Sequence, residues 1–160
     1  MANSNRYLRG NRKITKWAVD SATVIEVGDL VYLATDDVRP ASDLTWDTNG
    51  DTTRATFANT FVGVAVDQSK DGDTDEIGVD ISPDSIYQMD CDAATFENGD
   101  TIGPNDSASL LEDQKVVAET TAASACGFVQ KRYSANTTIV ECSFASAFHP
   151  GSSNANAQIG

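Results

Sequence analysis

The chain has 160 residues, of which 24 are acidic and 11 basic, and its formal net charge at pH 7 is -13. A chain of this length buries about 70% of its unfolded surface, so it can form a core without disulfides or metals. So acidic a protein is a poor match for nucleic acid, whose phosphates require a clustered cationic surface. No apolar run is long enough to cross a bilayer, and the N-terminal sequence lacks the apolar segment of a secretory signal. The composition therefore predicts a soluble protein, made in a cytoplasm, that binds neither nucleic acid nor membrane.

The basic residues are concentrated near the N-terminus. Five of the 11 lie within the first 16 residues, and the first carboxylate is Asp20. A charge split of this kind predicts an arm with one partner and a body in a different environment. The C-terminal sequence HPGSSNANAQIG has almost no apolar content, which predicts a flexible tail. We therefore divide the chain into a basic arm (residues 1–20), a folded domain (21–149) and a tail (150–160).

Within the domain, short segments rich in β-branched and aromatic residues alternate with polar turns. The extended segments are ATVIEV, DLVYLA, TFVGVAV, EIGVDI, SIYQMDC, KVVAET, CGFVQKRY and TTIVECSF. The turns include DTNGDTT, DQSKDGDTD and ENGD, and no segment has the periodicity of an amphipathic helix longer than about three turns. This pattern predicts an all-β fold, a compact β-barrel or sandwich, with an extended N-terminal arm.

The order of these segments occurs twice. VGDLVYL (27–33) is echoed by NGDTIGP (98–104), FVGVAVD (61–67) by ACGFVQK (125–131), and DEIGVDI (75–81) by TTIVECS (137–143). The repeated order predicts a fold built from two similar halves, which could close on each other and so remove unpaired strand edges. The alternative is that such glycine turns and short strands recur by chance.

The longest predicted loop covers residues 34–60. Loops of that length in compact domains are usually functional or disordered. Trp46 in this loop is either an anchor folded onto the barrel or an exposed interface aromatic, and the sequence does not decide between the two. We predict that Trp46 and Phe57 lie at a subunit interface; as an alternative, they could form a platform for a carbohydrate.

The residues needed for catalysis or metal binding are sparse. The single histidine, His149, lies at the edge of the tail, so a His-dependent triad is not expected. The acidic turns that begin at Asp47 and Asp71 lack the glycine and glutamate of a calcium-binding EF-hand loop. Three cysteines without metal-ligand spacing are predicted to be small buried residues: Cys91, Cys126 and Cys142. The sequence therefore predicts no enzymatic activity, no cofactor and no metal site.

The succession VGDLVYL, FVGVAVDQSKDG, EIGVDI and TFENGDTIGP resembles the small capsid decoration, or cement, proteins of tailed bacteriophages. In that group a Gly-Asp-hydrophobic strand is followed by a [Phe/Ile]-x-Gly-[Val/Ile]-Ala segment. The matching residues here are Gly28, Asp29, Leu30, Phe61, Gly63, Val64 and Ala65, with a later Gly99 and Asp100. The resemblance covers roughly residues 22–145, and the loop at 34–60 is longer than the group's pattern.

The resemblance implies a non-enzymatic protein that forms homotrimers on the outer surface of a capsid. Its expected partners are the major capsid protein and neighbouring cement subunits, and its expected location is the virion. In this interpretation the basic arm is a mobile tether. Its predicted capsid-binding residues are Arg6, Tyr7, Leu8, Arg9, Arg12, Lys13, Lys16 and Trp17. The alternatives are a carbohydrate-binding β-domain on a phage or bacterial surface, a nucleotide hydrolase of the small trimeric β-barrel type, and, for the arm, a leader without a function.

Overall fold

The computed structural model describes residues 5–157, and most of its regular structure is β-strand. The strands are β1 (Tyr7–Arg9), β2 (Ile14–Trp17), β3 (Leu30–Ala34), β4 (Asp37–Pro40), β5 (Phe61–Ala65), β6 (Ile77–Asp80), β7 (Ile86–Phe96), β8 (Thr101–Ser107), β9 (Leu110–Ala118), β10 (Gly127–Val129) and β11 (Tyr133–Phe144). One α-helix in this range, α1, spans Gly50–Asn59, and two 3-10 turns span Ala41–Asp43 and Ala122–Ser124. The predicted predominance of β-structure is thereby confirmed.

The strands form two sheets. Apart from β1, the strands before residue 85 belong to the first sheet and those after it to the second. The first sheet has the order β2-β6-β5-β3-β4 and is antiparallel throughout. The second has the order β7-β11-β10-β8-β9, and a parallel pairing between β7 and β9 closes it into a five-stranded barrel. β1 pairs with the edge of β7. The predicted barrel is therefore present in the second half of the chain, next to a second antiparallel sheet.

The two sheets share one strand order and one register. In each, the strands follow the order first, fifth, fourth, second and third when numbered along the chain. Gly63 of β5 lies opposite Val31 of β3, and Gly127 of β10 lies opposite Ile102 of β8. These glycines and their partners are the residues that the repeated sequence motifs align with each other.

Both sheets begin their second strand with the same Glu-x-Gly-Asp turn. In the first turn the N–H of Glu26 donates to Asp29 Oδ2 at 2.8 Å, and in the second the N–H of Glu97 donates to Asp100 Oδ2 at 2.8 Å. The glycine of each turn has a positive φ, 98° in the first and 94° in the second. That left-handed conformation carries no penalty for glycine, so a local signal in the sequence determines both turns.

In the first sheet, which remains open, a backbone hydrogen bond brings the end of the first strand beside the third, whereas in the barrel the first and third strands are paired. Val38 of β4 donates its N–H to the carbonyl oxygen of Ala18, which follows β2, at 2.9 Å. In the barrel, Cys91 of β7 and Val116 of β9 form the parallel pair that joins the first and third strands. The first strand therefore comes beside the third just after the end of β2 in the first sheet, and in the middle of β7 in the barrel.

The core joins the two halves into one body. The ring of Phe61 in β5 lies 5.8 Å from the ring of Phe144 in β11, and Phe57 of α1 packs 5.4 Å from Phe61. Phe57 and Phe61 are fully buried, and burying a side chain of this size stabilises a protein by about 1.5–3 kcal/mol. The three cysteines are buried and unpaired, as predicted.

The helix α1 lies inside the predicted loop and changes the assignment of its aromatic residues. Its N-terminus is capped by Asn49, whose Oδ1 accepts the N–H of Thr52 at 2.9 Å. The prediction that Phe57 lies at a subunit interface is wrong, because it is buried in the core of its own chain. Trp46 is partly buried against the same core, which matches the anchor alternative. The two residues therefore do not form an exposed aromatic pair for a carbohydrate.

The C-terminal residues pack against the body. Asn154 is buried, and its Nδ2 donates to the carbonyl oxygens of Ala58 at 3.1 Å and Ala145 at 2.9 Å. Phe148 meets the ring of Trp17 edge-on at 5.4 Å. The prediction of a flexible tail is therefore wrong for residues 150–157, and residues 158–160 lie outside the described range.

Candidate docking surface

The basic N-terminal segment is folded onto its own chain. Tyr7 of β1 lies opposite Tyr87 of β7, and Ile14 of β2 lies opposite Asp80 of β6. Because this backbone belongs to the two sheets, the prediction of a mobile arm separate from the domain is wrong for residues 7–17. Residues 1–4 lie outside the described range. The segment must therefore act, if it binds a partner, as a fixed part of the surface.

Arg6 is directed inward and connects the two sheets. Its Nη1 and Nη2 donate to the two carboxylate oxygens of Asp90 at 2.9 and 3.1 Å, and its Nε donates to Gln114 Oε1 at 2.9 Å. Gln114 is fully buried and in turn donates from Nε2 to Asp29 Oδ1 at 2.8 Å. A bidentate arginine–carboxylate pair of this kind fixes both partners, so Arg6 holds the fold together.

A second inward cluster forms around Asp80, which is buried. Tyr87 donates its hydroxyl to Asp80 Oδ2 at 2.6 Å, and the N–H of Lys13 donates to Oδ1 at 3.0 Å. The guanidinium of Arg12 lies 3.8 Å from Asp80 Oδ2 and 3.9 Å from the ring centre of Tyr7. Burial, together with the neighbouring Asp80, raises the pKa of Tyr87, which keeps its hydroxyl a proton donor. Arg12 and Tyr7 are therefore committed to contacts within the chain.

The remaining side chains of β1 and β2, with the connecting segment, face outward. We call this group the N-terminal strip: Leu8, Arg9, Lys13, Ile14 and Lys16. Leu8 and Ile14 are 43% and 50% exposed. Arg9 pairs with Glu141 at 2.6 Å and Lys16 with Asp67 at 3.3 Å, whereas Lys13 pairs with no carboxylate among residues 5–157. The strip thus brings three cationic and two exposed aliphatic side chains to the surface of an acidic protein, and two of the three cations are paired within the chain.

The strip contains half of the eight residues predicted to bind a capsid. Four predicted residues make contacts inside the chain: Arg6, Tyr7, Arg12 and Trp17. Ile14 completes the strip, because the alternation of Ile14, Thr15 and Lys16 in the segment KITKW is typical of a strand with one outer face.

A cavity of about 370 Å³ is lined by acidic residues, so its charge is opposite to that of the N-terminal strip. It is lined by Ala22, Val24, Glu26, Asp29, Pro40, Ser42, Asp43 and Asp113. Burial raises the pKa of Asp29 to about 6, and burial also raises the pKa of Asp113 although Ser42 donates two hydrogen bonds to it. No group of three or more histidine, cysteine or acidic residues in the described part of the chain has the arrangement of a metal site. The cavity therefore concentrates negative charge without presenting a metal centre.

A buried arginine connects α1 to the barrel. Arg54 donates from Nε to Glu119 at 2.7 Å, from Nη1 to Asp106 at 2.7 Å and from Nη2 to Asp51 at 2.6 Å. Glu119 is also buried, so this pair is shielded from solvent. All three guanidinium nitrogens of Arg54 therefore donate to carboxylates of the same chain, and these bonds anchor the helix to the barrel.

Comparisons with known proteins leave the chain without an assigned family. No protein-family model matches it, and no curated protein sequence is significantly similar to it. No helix within residues 5–157 is long and apolar enough to span a membrane.

Proposed function

We propose that the chain is a non-enzymatic structural protein that decorates a viral capsid. It stabilises the shell by clamping neighbouring major capsid protein subunits, as a homotrimer that also contacts adjacent cement subunits on the outer face of the virion. The observation that carries this proposal is the N-terminal strip, in which exposed Leu8 and Ile14 lie among lysines and an arginine on a protein of net charge -13. Further support comes from the Gly-Asp strands of the resemblance, which occupy matching positions in the two sheets.

A fixed strip suits a clamp better than a mobile tether does. A mobile tether loses conformational entropy when it becomes ordered on binding. The strip is already ordered in the free protein, so its docking does not carry this cost. The aliphatic side chains stabilise the contact because binding removes them from water. The cations make the contact specific for an acidic partner. Exposed ion pairs are each worth only about 0–1 kcal/mol, so several strips must act together. Three strips on one trimer can raise the avidity roughly 10²- to 10⁴-fold over a single contact.

Stabilisation of the shell follows from mass action. A protein that binds the assembled shell, and not its separated subunits, shifts the equilibrium toward the shell. The acidic remainder of the protein faces solvent in this arrangement, and its charge keeps the particles dispersed. No chemical step is required, so the proposal needs neither a catalytic group nor a cofactor.

We also infer that residues 14–80 and 86–144 are two copies of one five-stranded unit. The shared strand order, the matching glycine pairings and the two Glu-x-Gly-Asp turns support this inference. The repeated unit explains why the sequence motifs of the resemblance occur twice in the same order.

The proposal is tested by co-sedimentation with capsids of the virus that encodes the chain. Removing residues 1–17 is unsuitable, because the deletion also removes two strands. We instead expect the double variant Lys13→Glu/Lys16→Glu to lose binding roughly tenfold or more, since it reverses the charge of the strip. The matched control is Lys70→Glu, which reverses an exposed lysine outside the strip, in the segment between β5 and β6. Unchanged binding of the double variant removes the strip from the mechanism, and failure of the unmodified protein to bind contradicts decoration itself.

A further inference from the structure

The outer edge of β2 is an open strand edge. The N–H of Ile81 donates to the carbonyl oxygen of Lys13 at 2.9 Å, and Thr15 lies opposite Val79. In an antiparallel pair the backbone groups alternate in direction, so those of Ile14 and Lys16 point away from β6. Within residues 5–157, β2 pairs with β6 alone, and β4 reaches this outer edge only beyond β2, at Ala18, which leaves the outward groups of Ile14 and Lys16 without a strand partner.

The matching edge in the second unit is filled. Val79 pairs with Ala65 in the first unit, and Cys142 pairs with Val129 in the second. Because Ala65 and Val129 occupy the same position in the repeated motifs FVGVAVD and ACGFVQK, Val79 and Cys142 are equivalent. Their partners on the next strand are then equivalent as well. Thr15 corresponds to Tyr87, and Lys16, opposite Gly78, corresponds to Gln88, opposite Glu141.

At that matching edge β1 is the added strand. Gln88 donates its N–H to the carbonyl oxygen of Arg6 at 2.8 Å, and Tyr7 lies opposite Tyr87. The second unit thus shows, within this chain, how an extended segment binds the edge that the first unit leaves open at Lys16.

We propose that the edge of β2 binds an extended, acidic segment of the capsid partner by strand addition. This inference rests on the proposed function and specifies how the N-terminal strip makes its contact. Backbone hydrogen bonds to Ile14 and Lys16 supply the affinity, as is general when a peptide adds to a sheet. The exposed side chain of Ile14 lies beside the added strand and gives it an apolar contact.

Charge determines the chemistry of the added segment. At the filled edge, β1 brings two arginines to two carboxylates: Arg6 to Asp90 and Arg9 to Glu141. At the open edge the residues equivalent to those two acids are Ala18 and Gly78. The carboxylate beside Gly78 is that of Asp67, and it already accepts the N–H of Gly78 at 2.7 Å and pairs with Lys16 at 3.3 Å. A basic strand like β1 therefore has no partner there, whereas a strand with carboxylates does.

The same charges disfavour a second copy of this chain as the occupant. Two β2 edges paired with each other would bring the lysines of both copies together, and like charges that face each other across strands are destabilising. The segment between β5 and β6 is acidic, but residues 71–76 form a turn and its flank rather than a free strand. The partner is therefore a different protein.

The first experiment uses the model peptide acetyl-Glu-Val-Glu-Val-Glu-Val-amide at about 1 mM, a concentration suited to weak binding. Amide exchange is followed residue by residue by NMR. We expect the peptide to slow exchange at Ile14 and Lys16 and to leave Thr15 unchanged, because the Thr15 amide already faces β6. The matched control peptide has lysine in place of glutamate and should have no effect. Absence of slowing, or slowing by the lysine peptide, overturns the proposal.

The second experiment uses Ile14→Pro. Proline has no N–H, and at this position the missing N–H is one that does not bond to β6. The pairing of β2 with β6 is therefore retained, while the ring of the proline prevents another strand from adding to the outer edge. We expect this variant to lose binding of the glutamate peptide and to bind capsids roughly tenfold less, with Ile14→Val as the control that keeps the donor. If Ile14→Pro binds capsids normally while Lys13→Glu/Lys16→Glu does not, strand addition is wrong and decoration stands.

Two further outcomes are decisive. If Ile14→Pro does not fold, exchange at Ile14 and Lys16 in the unmodified protein still decides the matter. If those two amides are protected without any peptide and the protein sediments as a dimer, the occupant is a second copy and the proposal is overturned.

Discussion

Gly63 and Gly127 each lie against a carbonyl oxygen of the neighbouring strand. A Cβ atom at Gly63 would collide with the oxygen of Asp80, and one at Gly127 would lie 2.5 Å from the oxygen of Ser143. Both oxygens belong to the backbone of a buried strand, so neither can move aside as the end of a flexible side chain could. Close approach of two strands therefore excludes a side chain at the same place in each sheet.

Replacing either glycine by alanine should destabilise the protein. Overpacking of this kind costs about 1–3 kcal/mol, and we expect Gly63→Ala to cost more than Gly127→Ala because its clash is closer. Urea unfolding monitored by tryptophan fluorescence measures the loss. Gly72→Ala is the control: Gly72 has a positive φ of 94° with open space around it, so only backbone strain applies. Equal stability of Gly63→Ala and the unmodified protein would show that the strands can separate.

Arg54→Met should be strongly destabilising. It leaves Glu119 as a buried carboxylate without its cation, and breaking a buried pair on one side costs about 3–5 kcal/mol. The double variant Arg54→Met/Glu119→Gln should recover part of the loss, because it removes the isolated charge. The control is Arg132→Met, whose pair with Glu97 is exposed on both sides and should change the unfolding free energy little. A similar loss in both single variants would contradict the role of burial.

Asp29 should make the protein less stable as the pH rises from about 4 to about 6. Its pKa is raised from 3.8 to about 6, so in this range the folded protein holds a proton that the unfolded chain has released. The unfolding free energy then falls with pH, by at most about 3 kcal/mol for a displacement of this size. Burial raises the pKa of Asp43 and Asp113 in the same direction.

The contribution of Asp29 is isolated by comparison with Asp29→Asn. Both proteins are unfolded with urea at intervals between pH 3.5 and 7, a range chosen to include the two pKa values of Asp29. We expect the unfolding free energy of the variant to rise relative to that of the unmodified protein across that interval, because asparagine cannot ionise. A difference between the two proteins that does not change with pH would show that Asp29 ionises as readily in the folded protein as in the unfolded chain.

Features set by neighbouring residues were predictable from the sequence, whereas features set by distant contacts were not. The Glu-x-Gly-Asp turns and the β-branched segments are local signals, and they correctly indicated a fold made mostly of strands. The helix α1 was missed because Arg54, on its buried side, is polar. Its burial depends on Asp106 and Glu119, which are 52 and 65 residues away in the chain.

The errors at the two ends have the same origin. The basic segment was interpreted as mobile because no acid lies near it in sequence, yet Arg6 and Arg9 pair with Asp90 and Glu141 in the second sheet. The tail was expected to be flexible because it lacks apolar residues. A single buried amide, that of Asn154, holds it through two backbone carbonyl oxygens. In each case the partner comes from the other half of the chain or from a separate element.

The strand structure of the N-terminal segment predicts resistance to trypsin. The segment contains five trypsin sites: Arg6, Arg9, Arg12, Lys13 and Lys16. A mobile arm would be cut there within minutes, whereas cleavage of paired strands requires local unfolding. We therefore expect the native protein to keep these sites intact under conditions that cut an unfolded control, with mass spectrometry identifying the products.

A matched variant shows whether pairing is the cause of this resistance. Arg6→Gln removes the bidentate bond to Asp90 and should expose the sites in and around β1, at Arg9 and Arg12, before those around β2. The reason is that β1 has only three residues and, in the described part of the chain, pairs only with β7, while β2 pairs with β6 over four residues. Rapid cleavage of the unmodified protein at Arg9 or Arg12 would restore the mobile tether. The strip, and the open edge of β2 beside it, would then no longer be a fixed surface for a capsid.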